Sequence, residues 1–246
     1  NLYSRESSDI ANIANEFIDA YSTIGFSYIT NHGINDAIIS DVFNASREFH
    51  TLSINEKNKI ALNELHRGYI AINTSTDVNS DLAEVKKPNQ SESFMMMREA
   101  GPDDPDVKNG SYLTGPNRWP INPSRFKERV TKYADKMTQL CDRLTFIIMQ
   151  ALGVKEIDYH NLFERPTIWL RLLYYPPQIL PDNDLYGSAP HRDFGALTVL
   201  AQDQVGGLQV QSPHGEWLDV PELPNSFVVN VGNMLHRLSN GLLIST

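Results

Sequence analysis

The fold is decided by the stretch Ala189-Pro190-His191-Arg192-Asp193-Phe194-Gly195-Ala196-Leu197-Thr198-Val199-Leu200. A proline turn leads here into an apolar, partly β-branched run, which predicts a strand over residues 197–202. A His and an Asp two positions apart on an extended segment point to the same side. At the mouth of a barrel that side is the interior, where a carboxylate without a cation is unfavourable. The stretch therefore makes His191 and Asp193 a candidate metal-binding pair.

Short strand patterns surround this stretch, and turns rich in proline and glycine separate them. The predicted strands cover residues 169–175, 197–202, 208–211, 217–220 and 227–231. Regular short strands at this spacing are typical of a barrel or a double-sheet jelly roll.

The first half of the chain is predicted to be rich in helices. Apolar residues recur at helical spacing from Ile10 to Tyr21, from Ile38 to Phe49 and from Phe126 to Ile148. A short strand is expected over residues 26–29, and long loops over 72–93 and 100–124. We therefore predict an α+β fold in one structural domain. A helix-rich N-terminal region (1–124) precedes a long support helix and a jelly-roll core (a double-stranded β-helix) over 125–246.

Composition narrows the class of protein. The formal net charge of −9 and the lack of a basic stripe argue against a nucleic acid or an anionic membrane as partner. The single cysteine, Cys141, cannot form an internal disulfide, which suits a reducing compartment. No apolar run reaches the length of a membrane span, and the start does not have the pattern of a signal peptide. We expect a cytoplasmic protein, and the oligomeric state stays open.

The His-x-Asp spacing alone is a weak signal. Seven histidines and 30 acidic residues in 246 predict roughly one His-x-Asp or His-x-Glu match by chance, and two occur. His214-Gly215-Glu216 has the composition of a hairpin tip, so we expect its side chains to face water. On spacing alone, His191-Arg192-Asp193 could equally be a surface ion pair at the end of a loop.

Further short motifs occur along nearly the whole chain, and their order from the N-terminus to the C-terminus is informative. They are Asn31-His32-Gly33-Ile34, Arg67-Gly68-Tyr69, Glu92-Ser93-Phe94, Gly115-Pro116-Asn117-Arg118-Trp119-Pro120, Leu170-Arg171-Leu172-Leu173-Tyr174-Tyr175-Pro176-Pro177, His191-Arg192-Asp193-Phe194-Gly195, Gly206-Gly207-Leu208-Gln209-Val210, Val229-Asn230-Val231-Gly232-Asn233-Met234-Leu235 and Leu238-Ser239-Asn240-Gly241. This order resembles the isopenicillin N synthase-like family of Fe(II)/2-oxoglutarate-dependent dioxygenases.

The resemblance implies cofactors and roles. His191 and Asp193 would bind Fe(II) as two of three ligands on one face, leaving positions for O₂ and the co-substrate 2-oxoglutarate. The Tyr175 hydroxyl would face the 2-oxoglutarate pocket, and a core tyrosine is the alternative. The reaction would hydroxylate, desaturate or cyclise a small organic substrate with O₂, releasing succinate and CO₂. Phe194, Leu200 and Leu208 would be either apolar walls of the pocket or ordinary core residues.

The sequence departs from the family pattern in two ways. Arg192 stands where the family more often has a small threonine, and we expect its side chain to point outward. The family's second metal histidine and its Arg-x-Ser pair follow the last matched motif. We therefore expect the third iron ligand and the 2-oxoglutarate-binding arginine beyond Thr246, in a chain truncated at both ends. His236 matches a non-ligand position and is expected to be structural, as are His32, His50, His66 and His160.

Two other functions stay open at this point. One is a non-catalytic jelly-roll binding module, and the other is an Fe(II) oxidase of the same family that does not use 2-oxoglutarate. Formation of succinate from 2-oxoglutarate in the presence of O₂ would separate the leading hypothesis from both.

Overall fold

Two compact units make up the chain in the structure, a computed structural model that describes residues 2–4, 6–76, 85–178 and 185–246. The first unit comprises Asn1–Ile34, Met137–Arg165 and Arg192–Thr246. The second unit comprises Asn35–Lys136 and Pro166–His191. The sequence-based division near residue 124 stays a prediction.

Helices and strands alternate irregularly along the chain. In order they are α1 (Ser7–Thr23), β1 (Phe26–Thr30), α2 (Asp36–His50), α3 (Ile54–Asn58), β2 (Gly68–Ile70), β3 (Glu92–Met97), α4 (Pro105–Lys108), α5 (Phe126–Ala151), α6 (Glu156–Phe163), β4 (Trp169–Tyr174), β5 (Leu197–Leu200), β6 (Gln209–Gln211), β7 (Trp217–Asp219), β8 (Ser226–Val231) and α7 (Asn233–Leu238). The helices expected from the apolar spacing, and the strands expected between the proline and glycine turns, are confirmed.

The first unit is organised around strand β8. This strand pairs antiparallel with β1 on one side and with β5 on the other. A separate hairpin joins β6 to β7, and its Val210 and Val220 form a buried cluster with Val228 of β8. Leu200 and Leu208 pack against that cluster, so both belong to the apolar core.

The second unit contains an antiparallel sheet in the order β2-β3-β4. All six residues of the central strand β3 are buried. Its Phe94 meets Phe126 edge to face at a centroid distance of 5.0 Å and packs against Phe49 at 5.5 Å. Aromatic rings in such orientations contribute beyond the area that they bury, so this cluster anchors α2 and α5 to the sheet.

Helix α5 begins in the second unit and continues in the first. The predicted apolar stripe is buried along its length: Phe126, Val130, Tyr133, Met137, Leu140, Leu144, Ile147 and Ile148. The sequence prediction of one long support helix is therefore confirmed. Among the described residues, no helix is both long and apolar enough to cross a membrane.

Two expectations about local structure are wrong. The region predicted as loop over 72–93 ends in β3, which begins at Glu92, and α4 lies within the loop predicted over 100–124; residues 77–84 lie outside the described residues. After β8 the chain continues in the short helix α7, which begins directly after Gly232.

Candidate metal centre

His191 is the last residue of the second unit, in the loop that follows β4. Its Nδ1 lies 2.7 Å from the carbonyl oxygen of Ala189. Since a carbonyl only accepts, Nδ1 carries the hydrogen, and the lone pair of the neutral ring is on Nε2. The N–H of Ala189 in turn donates to Oδ1 of the buried Asn89 over 2.9 Å. A short hydrogen-bonded chain thus sets both the tautomer and the position of the imidazole.

Asp193 lies in the first unit, and its carboxylate is held by two side chains. Thr198 Oγ1 donates to Oδ2 of Asp193 over 2.5 Å, and Asn230 Nδ2 donates to the same oxygen over 2.7 Å. Two donors on one oxygen favour the ionised carboxylate. Metal binding requires a neutral imidazole and an ionised carboxylate, and the hydrogen bonds of His191 and Asp193 are compatible with these forms.

The backbone around Asp193 is fixed by the segment that follows β8. The N–H of Asn233 donates to the carbonyl of Asp193 over 2.7 Å, and the N–H of Gly232 donates to Ala196 over 3.0 Å. Within the described ranges, no cluster of three or more His, Cys, Asp or Glu side chains is arranged to hold a metal ion. The third ligand, expected beyond Thr246, stays a prediction.

The sequence matches two families of known proteins. Residues 1–122 match the N-terminal domain of the non-haem dioxygenase in morphine synthesis, and residues 167–246 match the 2OG-Fe(II) oxygenase superfamily. Over 96% of its length the chain is 32% identical to homoarginine-6-hydroxylase 2-ODD-C23.1 of Arabidopsis thaliana, of which it covers 71%. The chain belongs to the 2OG-Fe(II) oxygenase superfamily.

Other members of the superfamily agree with this assignment. The 2-oxoglutarate-Fe(II) type oxidoreductase hxnY of Emericella nidulans is 32% identical over 88% of the chain, which spans 63% of that protein. A full-length Neurospora crassa protein, solved in complex with alpha-KG and thymine, superposes on the whole chain with a TM-score of 0.81 and 27% identity. The chain covers 75% of that structure. The prediction of an α+β jelly-roll oxygenase is confirmed.

The side chains of the proposed pair fit the metal of this superfamily. A neutral imidazole nitrogen and an ionised carboxylate are the ligand types of the two-histidine, one-carboxylate face that binds non-haem Fe(II). The hydrogen bond at Nδ1 of His191 and those at Oδ2 of Asp193 are the outer contacts that orient such ligands. Fe(II) and 2-oxoglutarate are the cofactors of the superfamily, as the sequence predicted.

Tyr175 directly follows β4 in the second unit, and 49% of its surface is exposed. Its ring lies beside Gly187, where a Cβ atom would be 2.9 Å from Tyr175 Cδ1. Burial raises the pKa of the Tyr175 hydroxyl, and the positive charge of Arg171 offsets part of that rise. The phenol is therefore protonated at neutral pH and able to donate a hydrogen bond, and its contact with 2-oxoglutarate stays a prediction.

The other histidines considered from the sequence have structural positions. His214 is exposed in the β6–β7 turn, as predicted for a hairpin tip. His236 lies on α7, and its Nδ1 donates to the carbonyl of Leu243 over 2.6 Å. His32 is buried after β1, where its Nδ1 accepts from the N–H of Ile34 and its ring contacts Phe227.

The sequence did not predict three structural features near His191 and Asp193. Thr198 and Asn230 come together only through strand pairing, so no local motif signals their contact with Asp193. Arg192 was expected to point outward; it is half-buried, and its Nε donates to the carbonyl of Ser245 over 3.0 Å. Phe194, a possible pocket wall, is 71% exposed.

Proposed function

We propose that this chain belongs to an Fe(II)- and 2-oxoglutarate-dependent oxygenase in which His191 and Asp193 bind the iron. The observation that carries the proposal is the 2.7 Å hydrogen bond from Nδ1 of His191 to Ala189. It orients the ring and assigns the metal-binding lone pair to Nε2. The ionised carboxylate of Asp193 would supply the second ligand, with part of its charge offsetting that of the cation.

The chemistry follows from the cofactors of the superfamily. Bound Fe(II) supplies O₂ activation, in which oxidative decarboxylation of 2-oxoglutarate to succinate and CO₂ accompanies oxidation of the substrate. The chain's own residues hold the two ligands in place and bind the co-substrate, and we assign Tyr175 as a hydrogen-bond donor to 2-oxoglutarate.

We propose hydroxylation of a small organic molecule as the outcome. The Arabidopsis relative at 32% identity is named a homoarginine hydroxylase, which supports hydroxylation over desaturation or cyclisation. The partners in this proposal are a small-molecule substrate and O₂. The net charge of −9 argues against a nucleic acid or an anionic membrane surface.

We also place the protein in the cytoplasm. Its single cysteine, Cys141, lies on α5. Burial, and to a smaller extent the negative charge of Asp142, raises the pKa of the Cys141 thiol to about 11. A thiol with so little thiolate at neutral pH is not an activated nucleophile. The residue therefore suits a structural role in a reducing compartment.

The test of the iron site uses the full-length protein loaded with Fe(II) without oxygen. We expect His191→Ala and Asp193→Ala each to abolish stoichiometric iron binding, measured by equilibrium dialysis, with an unchanged circular dichroism spectrum. His214→Ala is the matched control, because that histidine is exposed in a turn, and it should bind iron as the wild type does. Stoichiometric iron in either ligand variant would overturn the assignment. Failure of the wild type to form succinate from 2-oxoglutarate and O₂ would overturn the activity.

A further inference from the structure

We infer that Thr198 and Asn230 are positioning residues that present Asp193 to the iron. This inference rests on the proposed iron site. Thr198 lies on β5 and Asn230 lies on β8, and the two residues are directly paired across these antiparallel strands. Side chains of a directly opposed pair project from the same face of a sheet. The register of β5 against β8 therefore brings one hydroxyl and one amide together at the same carboxylate.

Both donors reach the same oxygen of Asp193. The hydrogen bonds to Oδ2 measure 2.5 Å from Thr198 Oγ1 and 2.7 Å from Asn230 Nδ2. A carboxylate oxygen has two lone pairs in its plane, so two donors occupy Oδ2. Rotation of the carboxylate about its last bond would break both hydrogen bonds. The pair thus fixes the plane of the carboxylate that we propose as the iron ligand.

The chemical type of the donors suits this role. A hydroxyl and a carboxamide are neutral, so they hold the carboxylate without cancelling its negative charge. A lysine or arginine at either position would bind the oxygen more strongly and would also compete with a cation for that charge. Neutral donors therefore restrict the ligand geometrically and leave its charge available to Fe(II).

The surroundings make the arrangement rigid. Asn230 is 4% exposed and lies on the central strand of its sheet, so its amide has little freedom to move. The backbone of Asp193 is fixed independently by the hydrogen bond from Asn233. With both the backbone and Oδ2 held, the carboxylate keeps one orientation before any metal arrives. Preorganisation of this kind raises metal affinity because little ordering is left to the binding step.

The test measures metal affinity in the full-length protein, with Co(II) as a spectroscopic substitute for Fe(II). Thr198→Val keeps the shape of the side chain and removes the hydroxyl, and we expect it to weaken Co(II) binding about 10- to 100-fold. Thr198→Ser keeps the hydroxyl and should restore affinity to within about threefold of the wild type. Asn230→Leu should weaken binding in the same way. Each weakened variant should also shift the visible absorption of bound Co(II), since the ligand is no longer held in one orientation.

The matched control is Thr145→Val on α5. Thr145 is also buried, and its hydroxyl donates to the carbonyl of Cys141 over 2.7 Å. The control should lower thermal stability without changing Co(II) affinity or its spectrum. A Thr198→Val protein that is folded and binds Co(II) with wild-type affinity and spectrum would overturn the inference, even if Asn230→Leu does not fold.

The two proposals fail differently. If Asp193→Ala still binds Co(II) stoichiometrically, the iron site itself is wrong. If Asp193→Ala loses Co(II) while both Thr198→Val and Asn230→Leu bind it normally, the iron site stands and the positioning role is wrong.

Discussion

Gly232 passes so close to Gly195 that a Cβ atom on Gly232 would lie 2.2 Å from the carbonyl oxygen of Gly195. The same atom would lie 2.9 Å from the carbonyl oxygen of Asp193. Gly232 has φ −102°, an ordinary value for any residue, so the restriction is one of space. The segment that follows β8 therefore packs backbone against backbone on the candidate metal loop.

Gly232→Ala should loosen this contact. The methyl group would push the two backbones apart and weaken the hydrogen bonds that Gly232 and Asn233 donate to the loop. Overpacking of this kind costs about 1–3 kcal/mol. We expect the free energy of unfolding in urea to fall by about that amount, and metal affinity to fall with it.

Gly195→Ala is the control for this prediction. Apart from the two adjacent residues, no atom of the described part of the chain lies within 4 Å of the position that a Cβ on Gly195 would take. That variant should unfold at nearly the wild-type urea concentration. Equal losses in the two variants would show that the close approach at Gly232 does not limit stability.

A buried ion pair links α3 to β3 in the second unit. Lys57 Nζ donates to both carboxylate oxygens of Glu92, over 2.8 and 2.9 Å, and Tyr69 donates a further hydrogen bond to Glu92. Lys57 and Glu92 are only 6% and 8% exposed. Lys57→Met would leave the carboxylate buried without its cation, which costs about 3–5 kcal/mol. We expect the urea midpoint to fall accordingly.

Two further variants separate loss of the pair from loss of packing. Adding Glu92→Gln to Lys57→Met removes the uncompensated charge and should recover part of the lost stability. Lys59→Met breaks the exposed pair with Glu56 and should cost less than about 1 kcal/mol. If Lys57→Met lowered the urea midpoint no more than Lys59→Met, burial would not increase the contribution of the Lys57–Glu92 pair to stability.

Much of the fold follows from local patterns in the sequence. Apolar residues at helical spacing locate α1, α2 and α5, because one face of each helix is buried. Turn residues bound the strands β4 to β8, because proline, glycine and asparagine favour the backbone conformations of turns. The candidate metal loop was predicted from one segment, in which His191 and Asp193 are two positions apart, together with the order of the further motifs along the chain.

The remainder depends on contacts between distant segments. Strand β3 is buried on both faces, so its sequence Glu92-Ser93-Phe94-Met95-Met96-Met97 shows no alternation of apolar and polar residues. The buried glutamate in it is paired with Lys57, which is 35 residues away in the chain, and also accepts a hydrogen bond from Tyr69. The contact of Asn230 with Asp193 likewise requires the register of β5 on β8, which no local pattern contains.

His50 is the buried histidine at the end of α2. Its Nδ1 donates to the carbonyl of Ser46 over 2.8 Å, and its ring packs against Tyr174. Burial lowers the pKa of His50 below its usual 6.5, and the positive charge of Lys57 lowers it further. The hydrogen bond to the Ser46 carbonyl and the negative charge of Glu92 oppose this shift without reversing it. The folded protein therefore keeps this imidazole neutral at a pH where the unfolded chain has begun to protonate it.

This difference predicts a loss of stability in mild acid. Below pH 6.5 the unfolded state binds the proton more readily than the folded state, so the free energy of unfolding falls as the pH falls. His50→Phe removes the titrating group and keeps a ring for Tyr174 to contact. We expect the urea midpoint to drop less between about pH 7.5 and pH 5.5 in this variant than in the wild type. The control is His214→Phe at an exposed position in the β6–β7 turn, and it should show the wild-type drop. Equal drops in His50→Phe and the wild type would mean that the fold does not hold His50 neutral.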